Sequence, residues 1–338
     1  MLRISYRNKL RLKKLLRVIV ICLAVVLVFR FLLLVYVEPY VIYDRDGAYL
    51  DLSADQVVPE EVPDAQPRPV ISNPQIIYSQ DPATEKTIAE MGGYYITTDM
   101  LQDPQTVLST LKGINDPCAV SIELKSIYGN FYYPTSISGA PTASVDIDAV
   151  NEILVYLREN RFYMIGVIPA FSDSAFALEH QSSGLPISGG ALWMDWEGCY
   201  WLDPASETVT GYLVEIAREL DSLGFSEIAF SHFLFPDSNN IVYSSELSEA
   251  DLLRGAIGEI SSHIQGSGLM LSFVTDEVDF PADAVSGRLY FPDVDGSKVE
   301  RYIRAYGQVG TVSELVFLAN SRDTRFEGQA QLRPLLAE

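Results

Sequence analysis

The sharpest contrast between polar and apolar positions lies at the start of the chain. Residues 1–17 carry seven lysines and arginines and no acid, whereas sixteen of the next twenty residues, 18–37, are Leu, Ile, Val or Phe. Twenty helical residues span about 30 Å, the thickness of a bilayer's hydrocarbon core. Arg30 opposes insertion by about 2.5 to 3.5 kcal/mol, which apolar residues at about −0.3 to −0.6 kcal/mol each outweigh. The pattern predicts a transmembrane helix at 18–37.

Basic residues before such a helix hold that end in the cytoplasm. We therefore predict a cell-membrane protein with a cytoplasmic tail at 1–17 and an extracellular C-terminal domain. A cleaved signal peptide is the alternative, but no small-x-small cleavage site follows before Glu38 and Pro39. The helix is accordingly expected to remain as a signal anchor.

Residues 38–82 are predicted to form a short β-hairpin and a stalk. Residues 40–52 indicate two short strands around an Asp-Gly turn. Residues 58–74 are rich in proline and acidic side chains, which is typical of an extended linker.

Residues 83–338 alternate between strand-like and helix-like patterns. Apolar runs predict strands at 93–98, 119–124, 162–171, 227–235, 269–274, 288–291 and 314–318. Between them, apolar side chains recur every three or four residues, as in amphipathic helices. One such helix is predicted to begin at Pro204 with Asp203 as its N-cap.

Unalternating apolar strands followed by helices favour a parallel sheet covered by helices. The fold class is therefore α/β, a (β/α)8 TIM-like barrel of the usual size, preceded by the transmembrane helix and the stalk. Seven strands are clear; the eighth is either very short or lies after Asn320, where 332–336 gives a weak signal. An open doubly wound sheet is the alternative, although no Gly-rich phosphate loop follows any strand.

Charge and cysteine content narrow the function. The whole chain has a net charge of −21, but residues 1–37 hold eight of its 24 basic residues and none of its 45 acids, which leaves 16 − 45 = −29 for the remainder. Such a surface repels nucleic acid. The chain has three histidines and three cysteines, and they do not recur at the spacing typical of metal ligands. We therefore predict no metal site and no cofactor. A disulfide between Cys118 and Cys199 is allowed but not implied.

In a barrel, chemistry takes place at the C-terminal ends of the strands. Acidic residues recur there, and sugar hydrolysis requires a pair of carboxyl groups. Candidate catalytic residues are Glu123 on the second strand, Asp173 after the third and Glu277 after the fifth, where Asp276 and Asp279 also lie. In a domain this acidic, solvated carboxylates are the competing interpretation.

All three tryptophans of the chain, Trp193, Trp196 and Trp201, lie in the loop between the third and fourth strands. Flat aromatic faces beside polar groups hold the C–H faces of sugar rings. The alternative is a small core within the loop itself. No nucleophile elbow or metalloprotease helix is present, and His232 would point away from Ser231 if the fourth strand continued through both.

Several motifs resemble the putative glycosyl hydrolase domain family of bacterial exported proteins. Residues 122–129 are similar to the family's Ile-Asp-Val-Lys-Asp-Asp-x-Gly, which is followed by a Tyr, here Tyr133. The family's Gly…Trp…Trp-x-Asp-Pro loop is matched by Gly190, Trp193, Trp201, Asp203 and Pro204, and its Gly-Phe-Asp-Glu-Ile by 224–228. The resemblance covers about 93–236 and implies a (β/α)8 barrel that acts on polysaccharide.

The chain departs from the family at the expected active-site groups. The family's Phe-Asp-Tyr-x-Arg-Phe-Pro is here 230–236, so that Ser231 replaces the Asp and Leu234 the Arg; Val167 replaces an Arg on the third strand, and Glu123 remains. A serine cannot supply the missing carboxyl group. We therefore expect an extracellular glycoside-hydrolase-like protein that binds polysaccharide with little or no turnover.

Substrate-binding candidates are Lys125, Tyr133, Trp193, Trp196, Trp201, Ser231 and His232. Retained hydrolysis and a structural or partner-binding ectodomain are the two alternatives, and the sequence does not identify a protein partner.

Overall fold

The computed structural model describes residues 41–44, 47–50, 87–140, 145–292, 294, 296–319 and 324–336. Contacts divide the chain into two units, Met1–Ser79 and Gln80–Glu338. In the first unit, Val41–Asp44 and Gly47–Leu50 pair as antiparallel strands, as the sequence predicts. The predicted span at 18–37 and the linker at 58–74 lie outside the described residues. None of the described helices has the length and apolar character needed to cross a bilayer.

The second unit contains eight parallel strands that close into a barrel, which confirms the predicted fold class. The strands are β1 (Gly93–Ile96), β2 (Ala119–Glu123), β3 (Tyr163–Pro169), β4 (Glu227–Ser231), β5 (Met270–Val274), β6 (Arg288–Phe291), β7 (Glu314–Leu318) and β8 (Ala330–Pro334). Each strand pairs with the next, and β8 pairs with both β7 and β1. The eighth strand thus lies in the tail after Asn320.

Helices follow most of the strands. They are α1 (Ile88–Met91), α2 (Pro104–Lys112), α3 (Ile147–Glu159), α4 (Ser174–Glu179), α5 (Glu207–Leu223), α6 (Glu249–Ile264) and α7 (Gly296–Tyr306). Short 3-10 helices occupy Met100–Gln102, Gln181–Ser183, Ala282–Ala284 and Thr324–Phe326.

The predicted start of α5 was wrong by one turn. The helix begins at Glu207, because Asp203 to Ser206 form a turn of their own in which the Ser206 amide donates to the Asp203 carbonyl. The Asp203 carboxylate accepts from the Ala205 amide and the Tyr243 hydroxyl, rather than from the first turn of the helix.

Two apolar layers hold the barrel together. A large core lies between the strands and the helices, and a smaller one fills the bore with Ala119, Ile165, Ala229, Val316 and Leu332. This core does not reach the end where the strands terminate, and the bore is open there.

The N-terminal end of the bore is filled by a buried ionic network. Arg288 donates to Glu227 at 2.6 Å and to Glu314 at 2.9 Å. Each of these three residues is the first residue of its strand. The hydroxyl of Tyr290, one layer higher, donates to Glu227 Oε1 at 2.9 Å. Burial raises the pKa of Glu227 even though Arg288 opposes the shift. Removing Arg288 would leave two acids without a cation at the N-terminal end of the bore, so this network fixes the floor of the barrel.

Candidate functional site

A cavity of about 590 Å³ opens at the C-terminal ends of the strands. This size is usual for small-ligand sites, and the location is where barrel enzymes place their chemistry. All eight strands, or the residues directly after them, contribute to its wall. The lining comprises Tyr95, Ile96, Thr97, Thr98, Met100, Ser121, Glu123, Lys125, Ser126, Ile127, Tyr132, Val167, Pro169, Ser231, His232, Val274, Tyr290, Pro292, Leu318 and Pro334.

Glu123 supplies the one carboxylate among the described lining residues. It is the last residue of β2, where its side chain points inward at the cavity. Its Oε2 accepts from the Thr98 amide at 2.7 Å and from the Thr98 hydroxyl at 2.9 Å. Thr98 follows β1, so two neighbouring strand ends orient the carboxylate. Among the described residues both hydrogen bonds go to Oε2, and Oε1 remains for a ligand.

Lys125 lines the cavity two residues after Glu123, yet its charge is already paired. Its ammonium lies 2.8 Å from Asp173 Oδ2, with both side chains fully excluded from solvent, and donates to the Pro169 carbonyl at 3.1 Å. Tyr212 donates its hydroxyl to the same Asp173 oxygen at 2.9 Å, and Asp173 Oδ1 caps α4 at the Phe176 amide. The predicted catalytic candidate Asp173 is therefore outside the lining, and both its oxygens are occupied.

Ser231 and His232 both face the cavity, which corrects the expectation that they point apart. The strand ends at Ser231, and His232 has φ 50°, a left-handed conformation that breaks strand alternation. The imidazole Nδ1 lies 3.3 Å from Ser231 Oγ. Burial and, secondarily, the Lys125 charge lower the pKa of His232, which favours the neutral ring at neutral pH.

The three tryptophans have three different environments. Trp201 is buried, its indole N–H donates to Asp195 Oδ2 at 2.7 Å, and its ring lies 6.0 Å from that of His232. Trp193 is half-buried, with its ring 6.3 Å from that of Trp201. Trp196 is 90% exposed at the tip of a turn between Asp195 and Cys199. The loop therefore has a small core of its own at Trp201, and Trp196 alone presents a free aromatic face. None of the three lines the cavity.

The remaining predicted site residues lie away from the cavity. Tyr133 is fully buried and donates its hydroxyl to Glu219 Oε2 at 2.8 Å; burial, followed by the Glu219 charge, raises its pKa. Glu277 is exposed in the loop after β5, and its carbonyl accepts from Tyr306 at 2.8 Å. Its neighbours Asp276 and Asp279 are also exposed outside the lining.

Sequence reasoning missed the tyrosines and the apolar part of the wall. Tyr95, Tyr132 and Tyr290 line the cavity, and Tyr290 is 1% exposed with its ring at the cavity floor. In β6, Arg288 and Tyr290 both point into the bore. Strand alternation was therefore the signal that could have identified Tyr290 as a lining residue.

The described residues contain no cluster of His, Cys, Asp or Glu able to hold a metal ion. Cys118 and Cys199 are both free and buried. Cys118 precedes β2 at the floor, whereas Cys199 lies in the loop after β3 at the opposite end, which is too far apart for a disulfide. Cys199 instead donates to the Ile127 carbonyl at 2.8 Å.

Comparison with known proteins places this geometry in context. The model of a family described as a putative glycosyl hydrolase domain matches residues 93–277. A search of curated proteins found no match.

Solved structures share the fold. The cycloalternan-degrading enzyme from Trueperella pyogenes is 12% identical with a TM-score of 0.52; the alignment covers 74% of this chain and 43% of that enzyme. A hypothetical protein from Ruminiclostridium thermocellum is 20% identical with a TM-score of 0.46, over 53% of this chain and 97% of that one. The chain thus spans less than half of the length of the Trueperella enzyme, and the likeness concerns the barrel alone.

Proposed function

From the premise that this chain belongs to the putative glycosyl hydrolase domain family, whose model covers more than half of it, we propose that it binds polysaccharide in its barrel cavity with little or no hydrolysis. The observation that carries this proposal is the single carboxylate, Glu123, among the described lining residues. The chain is a glycoside-hydrolase-like protein; the glycan and the absence of turnover are what the experiments below test.

The polar side of the cavity supports binding. Glu123 has a free carboxylate oxygen, and Ser231 and His232 place a hydroxyl and a neutral imidazole on β4. The tyrosine rings at 95, 132 and 290 lie around and below these groups. Sugars require this combination of directed hydrogen bonds and flat apolar contact.

Hydrolysis needs more than the described lining residues offer. One carboxyl group must be protonated to release the leaving oxygen, and a second must attack or activate water. Ser231 stands where the family has an aspartate. Asp173, the nearest alternative, is inaccessible and paired with Lys125, and Glu277 is exposed outside the cavity.

A glycan array followed by a turnover assay tests the proposal. The purified full-length chain, in a detergent without a sugar headgroup, is applied to wall polysaccharides and exopolysaccharides, and binders are then assayed for new reducing ends. We expect binding that Glu123→Gln weakens by about tenfold, the loss of one hydrogen bond to a charged group, and no product. The matched control Glu277→Gln, an exposed residue outside the cavity, should bind normally.

Robust turnover abolished by Glu123→Gln would establish a hydrolase instead. Failure to bind any glycan would favour the partner-binding ectodomain.

We further propose that the barrel is extracellular and tethered by a helix at 18–37. Support comes from the sequence alone: the apolar run and the seven basic residues that precede it. A protease added to intact cells should remove the barrel from a chain tagged at its C-terminus and leave a tag at the N-terminus untouched. Protection of the barrel would contradict this topology.

A further inference from the structure

Among the described lining residues, the hydrogen-bonding side chains at the strand ends are not spread evenly around the cavity. Val274, Pro292, Leu318 and Pro334 stand at the ends of four consecutive strands, β5 to β8, and each is half-buried. We call these four residues the apolar arc. It occupies half of the barrel's circumference, and its aliphatic surfaces offer no hydrogen bond from their side chains.

The hydrogen-bonding groups lie in the other half, where they are interspersed with apolar residues such as Val167 and Pro169. Thr97 and Thr98 follow β1, Glu123 ends β2, and Ser231 and His232 lie at the end of β4. Among the described lining residues, a ligand therefore meets hydrogen-bonding side chains at the ends of β1 to β4 and only aliphatic side chains at the ends of β5 to β8. An unsubstituted hexose carries hydroxyls around its whole ring, so some of them would be desolvated against the arc without a partner.

Charge further restricts the ligand. The Lys125 ammonium is compensated by Asp173 at 2.8 Å, which leaves Glu123 as the uncompensated charge among the described lining residues. A uronate or a phosphate-bearing sugar would meet a like charge in a poorly solvated site. The cavity thus disfavours anionic sugars.

We propose that the cavity is specific for an N-acylated sugar, whose acyl methyl packs on the apolar arc while its amide N–H and ring hydroxyls bond to Glu123 and its neighbours. This deepens the proposed function and rests on it. An acetamido group is neutral, carries one N–H donor and ends in a methyl, which matches hydrogen-bonding side chains at the ends of β1 to β4 and aliphatic side chains at the ends of β5 to β8.

Three sugars that differ only at C2 test the proposal on the full-length chain. N-acetylglucosamine, glucosamine and glucose are compared as monosaccharides by saturation-transfer NMR, and chitohexaose, chitosan hexaose and cellohexaose by titration calorimetry. Burying one methyl favours binding about fourfold, and a hydrogen bond to a charged acceptor adds about tenfold. We expect the N-acetyl form to bind at least about fourfold more tightly than both others.

Isosteric variants assign the preference to the arc. Val274→Thr exchanges one methyl for a hydroxyl and should reduce the preference for N-acetylglucosamine over glucose at least about fourfold, because the acyl methyl loses an apolar contact. Val278→Thr, at an exposed valine outside the cavity, makes the same exchange as the control.

The outcomes separate the two proposals. Equal or tighter binding of glucose, cellohexaose or any glycan without an acyl group overturns the specificity and leaves polysaccharide binding intact. Tighter binding of glucosamine shows that the Glu123 charge, and not the arc, selects the ligand. If no glycan of any class binds, the proposed function fails, and the specificity fails with it.

Discussion

The Lys125 ammonium and the Asp173 carboxylate form an ion pair from which solvent is fully excluded. Among the described residues each is the other's one ion-pair partner, and Tyr212 donates to the same Asp173 oxygen at 2.9 Å. Breaking such a pair leaves an uncompensated charge inside the protein, which costs about 3 to 5 kcal/mol. The pair therefore explains why an acid at a strand end can be required for the fold rather than for catalysis.

We accordingly predict that Asp173→Asn lowers the free energy of unfolding by about 3 kcal/mol in urea titrations, because it strands the Lys125 charge. Adding Lys125→Met should recover most of that loss, since it removes the stranded charge. An Asp173→Asn variant of unchanged stability that lost a hydrolytic activity would instead make Asp173 a catalytic residue.

His232 gives the barrel a pH dependence of known sign. Its pKa is lowered in the folded state, chiefly by burial. A lowered histidine pKa means that the unfolded chain binds the proton more readily, so stability is complete above about pH 6.5 and falls as the pH drops through the folded pKa.

We predict that the melting temperature of the wild type falls between pH 7.5 and 5.5 by a few degrees more than that of His232→Asn. Asn tolerates the left-handed backbone at this position. His263→Asn, at an exposed helical histidine, is the control and should behave as the wild type. Identical pH dependence in all three proteins would exclude His232 as the cause.

The pair at 231 and 232 also marks the limit of sequence reasoning for single residues. The sequence located Glu123 and Ser231 at strand ends, and both line the cavity because each is the last residue of its strand. Alternation failed at His232, because no local signal in the sequence reveals that the strand stops there and the next residue takes a positive φ. Pairing across the chain, as between Lys125 and Asp173, is likewise invisible until the strands are assembled.

The tryptophans in the loop between β3 and α5 have different roles. Trp201 anchors the loop through its buried ring and its bond to Asp195, whereas Trp196 at 90% exposure contributes little to folding. Clustering in the sequence indicated one role for all three residues, and only the antiparallel pairing of Met194 with Tyr200 shows which ring is at the tip.

We predict that Trp201→Ala lowers the free energy of unfolding by about 3 kcal/mol, whereas Trp196→Ala changes it by less than about 0.5 kcal/mol. Trp196→Ala should weaken binding of long glycan chains while leaving a monosaccharide in the cavity unaffected. Denaturant unfolding and calorimetry with both ligand lengths measure this. A large stability loss at Trp196 would show that the turn packs against another part of the protein.

Strand recognition succeeded where apolar runs were long and failed at β8. Ala330–Pro334 alternates between apolar and polar residues, with Gln331 and Arg333 in its interior, and ends in a proline, so it lacks the apolar run that identified the other strands. Its place is fixed by closure, because β8 fills the gap between β7 and β1. The need for an eighth strand to close the barrel was therefore stronger evidence for β8 than its own residue pattern.

The whole barrel divides into a floor, a cavity and a loop rim. The buried network of Glu227, Arg288 and Glu314 holds the floor, and the bore is open to a ligand at the end where the strands terminate. The family's frame is retained, and the acid at position 231 is absent. This combination is what predicts recognition of a sugar without its cleavage.

The most direct measurement is a crystal structure of the chain after prolonged incubation with chitohexaose. The account predicts an intact hexasaccharide with one sugar in the cavity, hydrogen-bonded to Glu123 and with its acyl methyl against Val274 and Leu318. Cleaved fragments in the cavity would contradict the absence of turnover, and an occupied surface elsewhere with the cavity empty would contradict the site.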